Sequence, residues 1–294
     1  YDRQGEQLNA RGADNNLEGY PASEDHLAGS PSSAETGLGR TPSEIYPGHG
    51  RRFDQPEYGE HLGGPLKPLA QEQNDEHQRG SHMPVEAKIC GIKDSSALDA
   101  AVTGGARFVG LVFYPRSPRY VSPEAAATLA ARAPERITKV GLTIDADDDT
   151  IGKILNQVPL DMLQCHGKEE PERIEQLKMR FGLPVMKAVG IAAEEDVALA
   201  GRYEDCADWL LFDAKPPETL PNALPGGNAL VFDWNLIAGS DWSKPWMLSG
   251  GLNAGNVADA IKVTGARAID VSSGVEDSPG VKSPERVSAF LNAV

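Results

Sequence analysis

The stretch Lys88-Ile89-Cys90-Gly91-Ile92 is a short apolar run with a cysteine and a glycine near its end. Such a run is typical of a buried strand, and the glycine predicts a tight turn into the next element. The residues that follow repeat one unit, a strand and then a helix. A lone cysteine on an apolar strand is usually a small core side chain. At this point Cys90 is therefore either a core residue or a catalytic base.

The repeated unit predicts the fold. Eight apolar runs alternate with eight predicted helices, and the runs are continuously apolar, as expected of strands covered on both faces. Eight such units predict an α/β protein with a closed (β/α)8 TIM barrel, and an open doubly wound sheet is the alternative. The sixth helix is predicted to start at Asp233. The predicted strands are 87–92, 108–114, 137–145, 161–166, 185–191, 209–214, 246–249 and 268–271.

Residues 1–83 have a different composition, rich in Gly, Pro, Ser, Asn, Gln and Glu. Such a segment cannot bury enough apolar surface to offset its ordering entropy. We therefore predict a disordered segment over 1–83 and a catalytic barrel domain over 84–294. Gly80-Ser81-His82-Met83 looks like the remnant of an expression vector joined to an initiator Met. A native tail that binds an unknown protein partner is the alternative.

Charge and cysteine content exclude several classes of function. The net charge is -15 and no basic cluster is present, which argues against a nucleic-acid partner. We find no apolar run of membrane-spanning length and no charged-then-apolar leader, so we expect no membrane partner and a cytoplasmic location. Cys90, Cys165 and Cys206 have no CxxC spacing, which predicts free thiols in a reducing compartment and no zinc site.

In a (β/α)8 barrel, function is carried by residues just after the strands. Gly250-Gly251 and Ser272-Ser273-Gly274 follow strands seven and eight, where barrels frequently bind phosphate. The alternative is that these glycines only make tight turns.

Strands one and six supply a thiol, Cys90, and a carboxyl, Asp213, that could act as base and acid on a small phosphorylated substrate. Arg119, after strand two, is either a clamp for a carboxylate or a solvated loop residue. His166, the only histidine of the barrel region, either contacts the ligand or is a hydrogen-bonded loop residue.

Seven blocks of sequence, in order between Met83 and Val294, resemble the phosphoribosylanthranilate isomerase family. The first block is Lys88-Ile89-Cys90-Gly91-Ile92. The fifth block, Gly226-Gly227, precedes Phe232-Asp233-Trp234. The other blocks are Phe113-Tyr114-Pro115-Arg116-Ser117-Pro118-Arg119-Tyr120, Gln164-Cys165-His166-Gly167, Leu211-Phe212-Asp213-Ala214-Lys215, Ser249-Gly250-Gly251-Leu252 and Asp270-Val271-Ser272-Ser273-Gly274-Val275-Glu276.

The resemblance implies an isomerase of tryptophan biosynthesis that performs an Amadori rearrangement of N-(5-phosphoribosyl)anthranilate. It implies that Asp213 is the general acid, that Cys90 as a thiolate is the general base, and that Arg119 holds the anthranilate carboxylate. Gly226 and Gly227 would join the glycines and serines named above as substrate-binding residues. No metal or organic cofactor is implied.

The family's loop commonly reads Gly-Gly, a small hydroxyl residue and Gly, whereas this chain has Gly226-Gly227-Asn228-Ala229. A base role favours a lowered thiol pKa, and Lys88 lies on the same face of the strand as Cys90. Three alternatives remain: a related histidine-pathway aldose–ketose isomerase, indole-glycerol-phosphate synthase, and an interaction protein that acts through its tail. Cys90 argues against the first, which uses two aspartates, and the lack of a Lys-rich strand-one motif argues against the second.

Overall fold

The structure is a computed structural model that describes residues 84–217, 219 and 226–294. The predicted disordered segment 1–83 lies outside the described residues. Eight parallel strands follow one another around a closed barrel, and the first pairs with the eighth. This confirms the predicted TIM barrel. The strands are β1 (Glu86–Cys90), β2 (Phe108–Val112), β3 (Thr138–Thr143), β4 (Met162–Cys165), β5 (Val185–Ile191), β6 (Trp209–Ala214), β7 (Trp246–Leu248) and β8 (Ala268–Val271).

The described residues form seven α-helices outside the barrel, and none of these is long and apolar enough to cross a bilayer. Side chains cap several of them: Ser122 accepts from the Ala125 N–H at the start of the second helix, where Pro123 takes the first position. The helices are α1 (Ser95–Thr103), α2 (Pro123–Arg132), α3 (Asp148–Leu155), α4 (Pro171–Phe181), α5 (Glu194–Ala200), α6 (Val257–Thr264) and α7 (Pro284–Ala293).

The helix predicted from Asp233 is wrong, because the chain there forms only a 3-10 turn, Trp234–Leu236. The Asp233 carboxylate accepts hydrogen bonds from both the backbone N–H and the side-chain amide of Asn235, at 3.0 and 2.8 Å. The carboxylate therefore caps the start of this turn. Gly239, with φ of +74°, then ends the turn.

Apolar layers fill the barrel and leave one end open. Eight side chains from the strands pack in its interior, and a larger cluster fills the space between strands and helices. Above the interior layer, Cys90, Val112 and Leu142 form a small third cluster with Tyr114 and Ile144 packed against it. The open end lies at the carboxyl ends of the strands, where the described residues leave room for a ligand.

A small antiparallel hairpin between β8 and α7 was not predicted from the sequence. It consists of β9 (Glu276–Ser278) and β10 (Val281–Lys282). Its turn contains Gly280, with φ of +81°, which packs directly against the backbone of Pro118 in the loop after β2. The hairpin therefore lies beside the loop that carries Arg119.

Candidate active site

A cavity with an empty volume of about 710 Å³ lies at the carboxyl ends of the strands. Gly274 is the one predicted site residue that does not line it. The cavity lining includes Cys90, Arg119, His166, Asp213, Gly226, Gly227, Gly250, Gly251, Ser272 and Ser273.

Cys90 is the last residue of β1 and is paired in register with Gly110 of β2. A Cβ at Gly110 would lie 2.8 Å from the Cys90 sulfur, so this glycine makes the space in which the thiol sits. The next residue, Gly91, has φ of +82°, which only glycine adopts freely. The predicted glycine turn after the strand is therefore confirmed.

Charged groups surround the Cys90 thiol. The Lys88 ammonium lies 2.8 Å from Asp270 Oδ1, and both side chains are buried. Burial raises the pKa of Cys90, whereas Lys88 and Lys282 act to lower it, and the net shift is upward. Burial therefore outweighs the two ammonium groups at this thiol. Burial lowers the pKa of Lys88, but Asp270 and Cys90 reverse that shift.

Asp213, in β6, holds the second predicted catalytic group. Its Oδ1 accepts a hydrogen bond from the Ala214 N–H at 2.9 Å, and its Oδ2 lies 3.3 Å from His166 Nε2. Gln164 Nε2 lies 3.1 Å from His166 Nδ1, so the Gln164 amide orients the imidazole ring. His166 thus faces both the cavity and the Asp213 carboxyl.

The loop after β6 brings glycines against these polar groups. A Cβ at Gly226 would lie 2.7 Å from His166 Nε2, so a larger residue would separate the ring from Asp213. The carbonyl of Gly227 accepts a hydrogen bond from Arg119 Nη2 at 3.1 Å. Ala229 adopts φ of +57°, which strains a residue with a Cβ, and this is where the family pattern has glycine.

Arg119 is buried, with 7% of its side chain exposed, so it is not a solvated loop arginine. Its Nε and Nη2 donate to the two carboxylate oxygens of Glu276 at 2.8 and 2.9 Å. Glu276 also accepts from Lys282 Nζ at 2.6 Å. Neither Glu276 nor Lys282 was predicted as a site residue. The only sequence feature that pointed to either residue is that Glu276 ends the motif at 270–276.

The two predicted glycine turns lie side by side. Gly250 and Gly251 have φ of +89° and +62°. Gly274 packs so closely on the backbone carbonyl of Leu252 that a Cβ there would collide with it. Gly274 therefore serves the contact between the turns. Ser272 donates from Oγ to the Cys90 carbonyl at 3.2 Å, which ties the second turn to the end of β1.

Among the described residues, no group of three or more His, Cys, Asp or Glu side chains is placed to hold a metal ion. The site's functional groups are a thiol, a carboxyl, an imidazole, a guanidinium and the backbone of two glycine turns. These are groups suited to acid–base chemistry on an anionic ligand.

Comparison with known proteins gives consistent matches to the barrel. Residues 87–293 match the family model described as N-(5'phosphoribosyl)anthranilate (PRA) isomerase. The N-(5'-phosphoribosyl)anthranilate isomerase of Rhodospirillum centenum is 56% identical over 209 residues, which are 71% of this chain and 97% of that protein.

Solved structures match the same part of the chain. The crystal structure of phosphoribosyl anthranilate isomerase from Thermotoga maritima is 37% identical with a TM-score of 0.64, and the match covers 71% of this chain and 98% of that one. A phosphoribosyl anthranilate isomerase in complex with reduced 1-(o-carboxyphenylamino)-1-deoxyribulose 5-phosphate is 35% identical with a TM-score of 0.62, covering 71% and 97%.

Proposed function

Because the chain belongs to the N-(5'-phosphoribosyl)anthranilate isomerase family, we propose that Cys90 and Asp213 carry out its isomerisation as general base and general acid. The chain is an isomerase of tryptophan biosynthesis. Its substrate is a phosphorylated aldosylamine, and its product is the corresponding aminodeoxyketose, 1-(2-carboxyphenylamino)-1-deoxyribulose 5-phosphate.

In the first step, Asp213 protonates the ring oxygen of the furanose. The bond from that oxygen to C1 breaks, the nitrogen lone pair forms the C=N bond, and the open sugar is an iminium cation. Asp213 is then a carboxylate. The N–H of His166, whose Nε2 lies 3.3 Å from Asp213 Oδ2, supports that charge.

In the second step, the Cys90 thiolate takes the proton from C2. The electron pair of the C–H bond forms C1=C2 and the C=N pair returns to nitrogen, which gives an enolamine that tautomerises to the ketone. Burial makes the thiolate scarce but also makes it a stronger base. An iminium in the same cavity would favour the thiolate, as an opposite charge does.

Binding groups flank the two catalytic side chains. Arg119 would hold the anthranilate carboxylate, and the apolar side chains of Val112, Leu142 and Ile144 offer a wall for the aromatic ring. The adjoining turns at Gly250-Gly251 and Ser272-Ser273 would hold the phosphate through backbone N–H groups. This division places the carboxylate and the phosphate at different strand ends.

The three cysteines are all buried and free of disulfides. Free thiols fit a reducing compartment, and on that ground we assign the enzyme to the cytoplasm. Fractionation of cells followed by immunodetection tests this assignment.

The observation that carries the proposal is that a buried thiol and a carboxyl line one cavity together with Arg119 and the glycine turns. We expect Asp213→Asn to lower turnover by at least about 100-fold, because the amide cannot protonate the ring oxygen. Asp241→Asn, an exposed carboxyl outside the cavity, should keep turnover. Near-normal rates for Asp213→Asn would mean that another group is the acid.

A further inference from the structure

Arg119 belongs to a buried cluster of three charged side chains. Glu276 accepts from Arg119 through both of its oxygens, and Lys282 Nζ lies 2.6 Å from Glu276 Oε1. The three side chains are 7%, 4% and 1% exposed, so water screens their charges little. Lys282 also donates to the carbonyl of Ser272 at 3.0 Å, which fixes it against the turn after β8.

The charges of this cluster do not cancel. Arg119 and Glu276 alone would be a neutral pair, in which the Glu276 carboxylate offsets much of the attraction of the guanidinium for an incoming carboxylate. Lys282 leaves the cluster with one positive charge, which a single ligand carboxylate would neutralise. Glu276 is an anion in this setting: burial raises its pKa, but the hydrogen bond from Arg119 and the charge of Lys282 outweigh burial and lower it.

Glu276 also fixes the direction of the guanidinium. Glu276 takes Nε and Nη2, and the Gly227 carbonyl also accepts from Nη2. Within the described part of the chain no acceptor bonds Nη1, so this group can meet a ligand. A Cβ at Gly227 would lie 2.5 Å from Nη1, so this group abuts the glycine that lines the cavity. A guanidinium held this way needs no reorganisation to bind.

We propose that Glu276 and Lys282 are positioning residues that make Arg119 a site for the substrate's carboxylate. Glu276 sets the direction of the guanidinium, and Lys282 supplies the charge that Glu276 would otherwise cancel. The inference rests on the proposed function, in which Arg119 contacts the anthranilate carboxylate.

The test compares two ligands of the full-length chain by titration calorimetry. One is reduced 1-(2-carboxyphenylamino)-1-deoxyribulose 5-phosphate, and the other is its phenylamino counterpart without the carboxylate. The Kd of the counterpart divided by the Kd of the carboxylate-bearing ligand measures recognition of the carboxylate alone. We expect Lys282→Met to lower this ratio about tenfold. Any effect on phosphate binding through Ser272, which Lys282 contacts, is common to both ligands and cancels in the ratio.

Matched variants separate charge from folding. Lys153→Met removes an exposed ammonium from α3 and should keep the wild-type ratio. Lys282→Arg keeps the charge and should keep most of the ratio. If Lys282→Met does not bind the counterpart, Lys282→Gln is used in its place, because it retains a donor to Glu276. We expect the same loss of about tenfold in the Kd ratio from Lys282→Gln. An unchanged ratio in the variant that folds overturns the proposal.

A double variant tests the charge argument directly. Glu276→Gln combined with Lys282→Met leaves Arg119 as the single charge, so the net charge returns to that of the wild type. We expect its ratio to exceed that of Lys282→Met. A ratio that falls further, as additive structural damage would produce, contradicts the assigned role of Lys282.

Arg119→Ala distinguishes this inference from the proposed function. The ratio should collapse in this variant and the KM for substrate should rise. If the ratio collapses in Arg119→Ala but is kept in Lys282→Met, the positioning role of Lys282 fails and the role of Arg119 stands. If Arg119→Ala keeps the ratio, the carboxylate lies elsewhere, and both fail.

Discussion

At Cys90, burial and neighbouring charges act in opposite directions on the thiol. Lys88 and Lys282 favour the thiolate, and Asp270 and burial oppose it. The Lys88 ammonium forms an ion pair with Asp270 at 2.8 Å, and the Asp270 charge offsets much of its effect on the thiol. Burial therefore opposes the charged thiolate, and a cationic intermediate in the cavity would favour it.

The raised pKa of Cys90 predicts slow alkylation at neutral pH. A raised pKa means that the thiolate appears only at more alkaline pH than for free cysteine, so the rate of carbamidomethylation should rise with a midpoint above about 8.5. Mass spectrometry of iodoacetamide-treated protein across a pH series measures it. Burial raises the pKa of Cys165 to about 12, so its label should not interfere.

Two outcomes decide this prediction. Lys88→Met should shift the midpoint to still higher pH, since it removes a group that favours the thiolate. A wild-type midpoint below about 8.5 would contradict the dominance of burial over charge at this site.

At the residue level, the sequence predicted the groups that face the cavity but not what lies behind them. Cys90 and Asp213 could be placed because each ends an apolar run, and strand ends meet at one face of a barrel. Glu276 and Lys282 could not, because their role depends on a hairpin that folds back onto the loop of Arg119. Nor could spacing show that burial would raise the pKa of Cys90.

At the level of elements, two neighbouring strands form the space around the thiol: β1 carries the cysteine, and β2 leaves room for it. Gly110 faces Cys90 in register, and a Cβ there would meet the Cys90 sulfur at 2.8 Å and its Cα at 3.1 Å. The second contact involves backbone, which cannot move away cheaply. The fit between two neighbouring strands therefore depends on this glycine.

We expect Gly110→Ala to lower both stability and turnover. Overpacking of a strand contact of this kind costs about 1–3 kcal/mol of the free energy of unfolding, and the thiol would be displaced from its place. Urea denaturation and steady-state kinetics on the same preparation measure the two effects. Unchanged turnover would show that the position of the thiol tolerates the added methyl group.

Gly152, in α3, provides a matched glycine-to-alanine change. The nearest atom to its added Cβ is a ring carbon of Phe181 at 4.0 Å, an ordinary contact. Gly152→Ala should raise the free energy of unfolding by about 1 kcal/mol, since alanine favours a helix over glycine. Turnover should stay at the wild-type value, because α3 supplies no residue to the cavity.

The regular alternation of apolar strands and amphipathic helices allowed the sequence to predict the barrel. The prediction of elements from this alternation failed in the segments after β6 and β8. Asp233 caps a short 3-10 turn, and Gly239, with φ of +74°, ends it. The β9–β10 hairpin is too short and too polar to give a strand pattern. Both exceptions lie on the loop side of the barrel, where hydrophobic periodicity carries little information.

For the whole molecule, the matches fall on the barrel. The relative from Rhodospirillum centenum is covered over 97% of its own length by 71% of this chain. We therefore expect deletion of residues 1–82 to leave kcat and KM unchanged within about twofold. Kinetics of the full and shortened chains side by side measure this. A loss of activity would assign the segment a part in catalysis or folding.

Turnover of N-(5'-phosphoribosyl)anthranilate by the purified wild type and Cys90→Ala, followed by fluorescence, tests the central claim most directly. The account predicts that the wild type consumes the substrate and that Cys90→Ala loses at least about 1,000-fold of the rate. The variant should still bind the reduced product analogue, and Cys206→Ala, which changes another buried cysteine, should keep its rate. A Cys90→Ala variant that retained most of the turnover would contradict the assignment of Cys90 as the base.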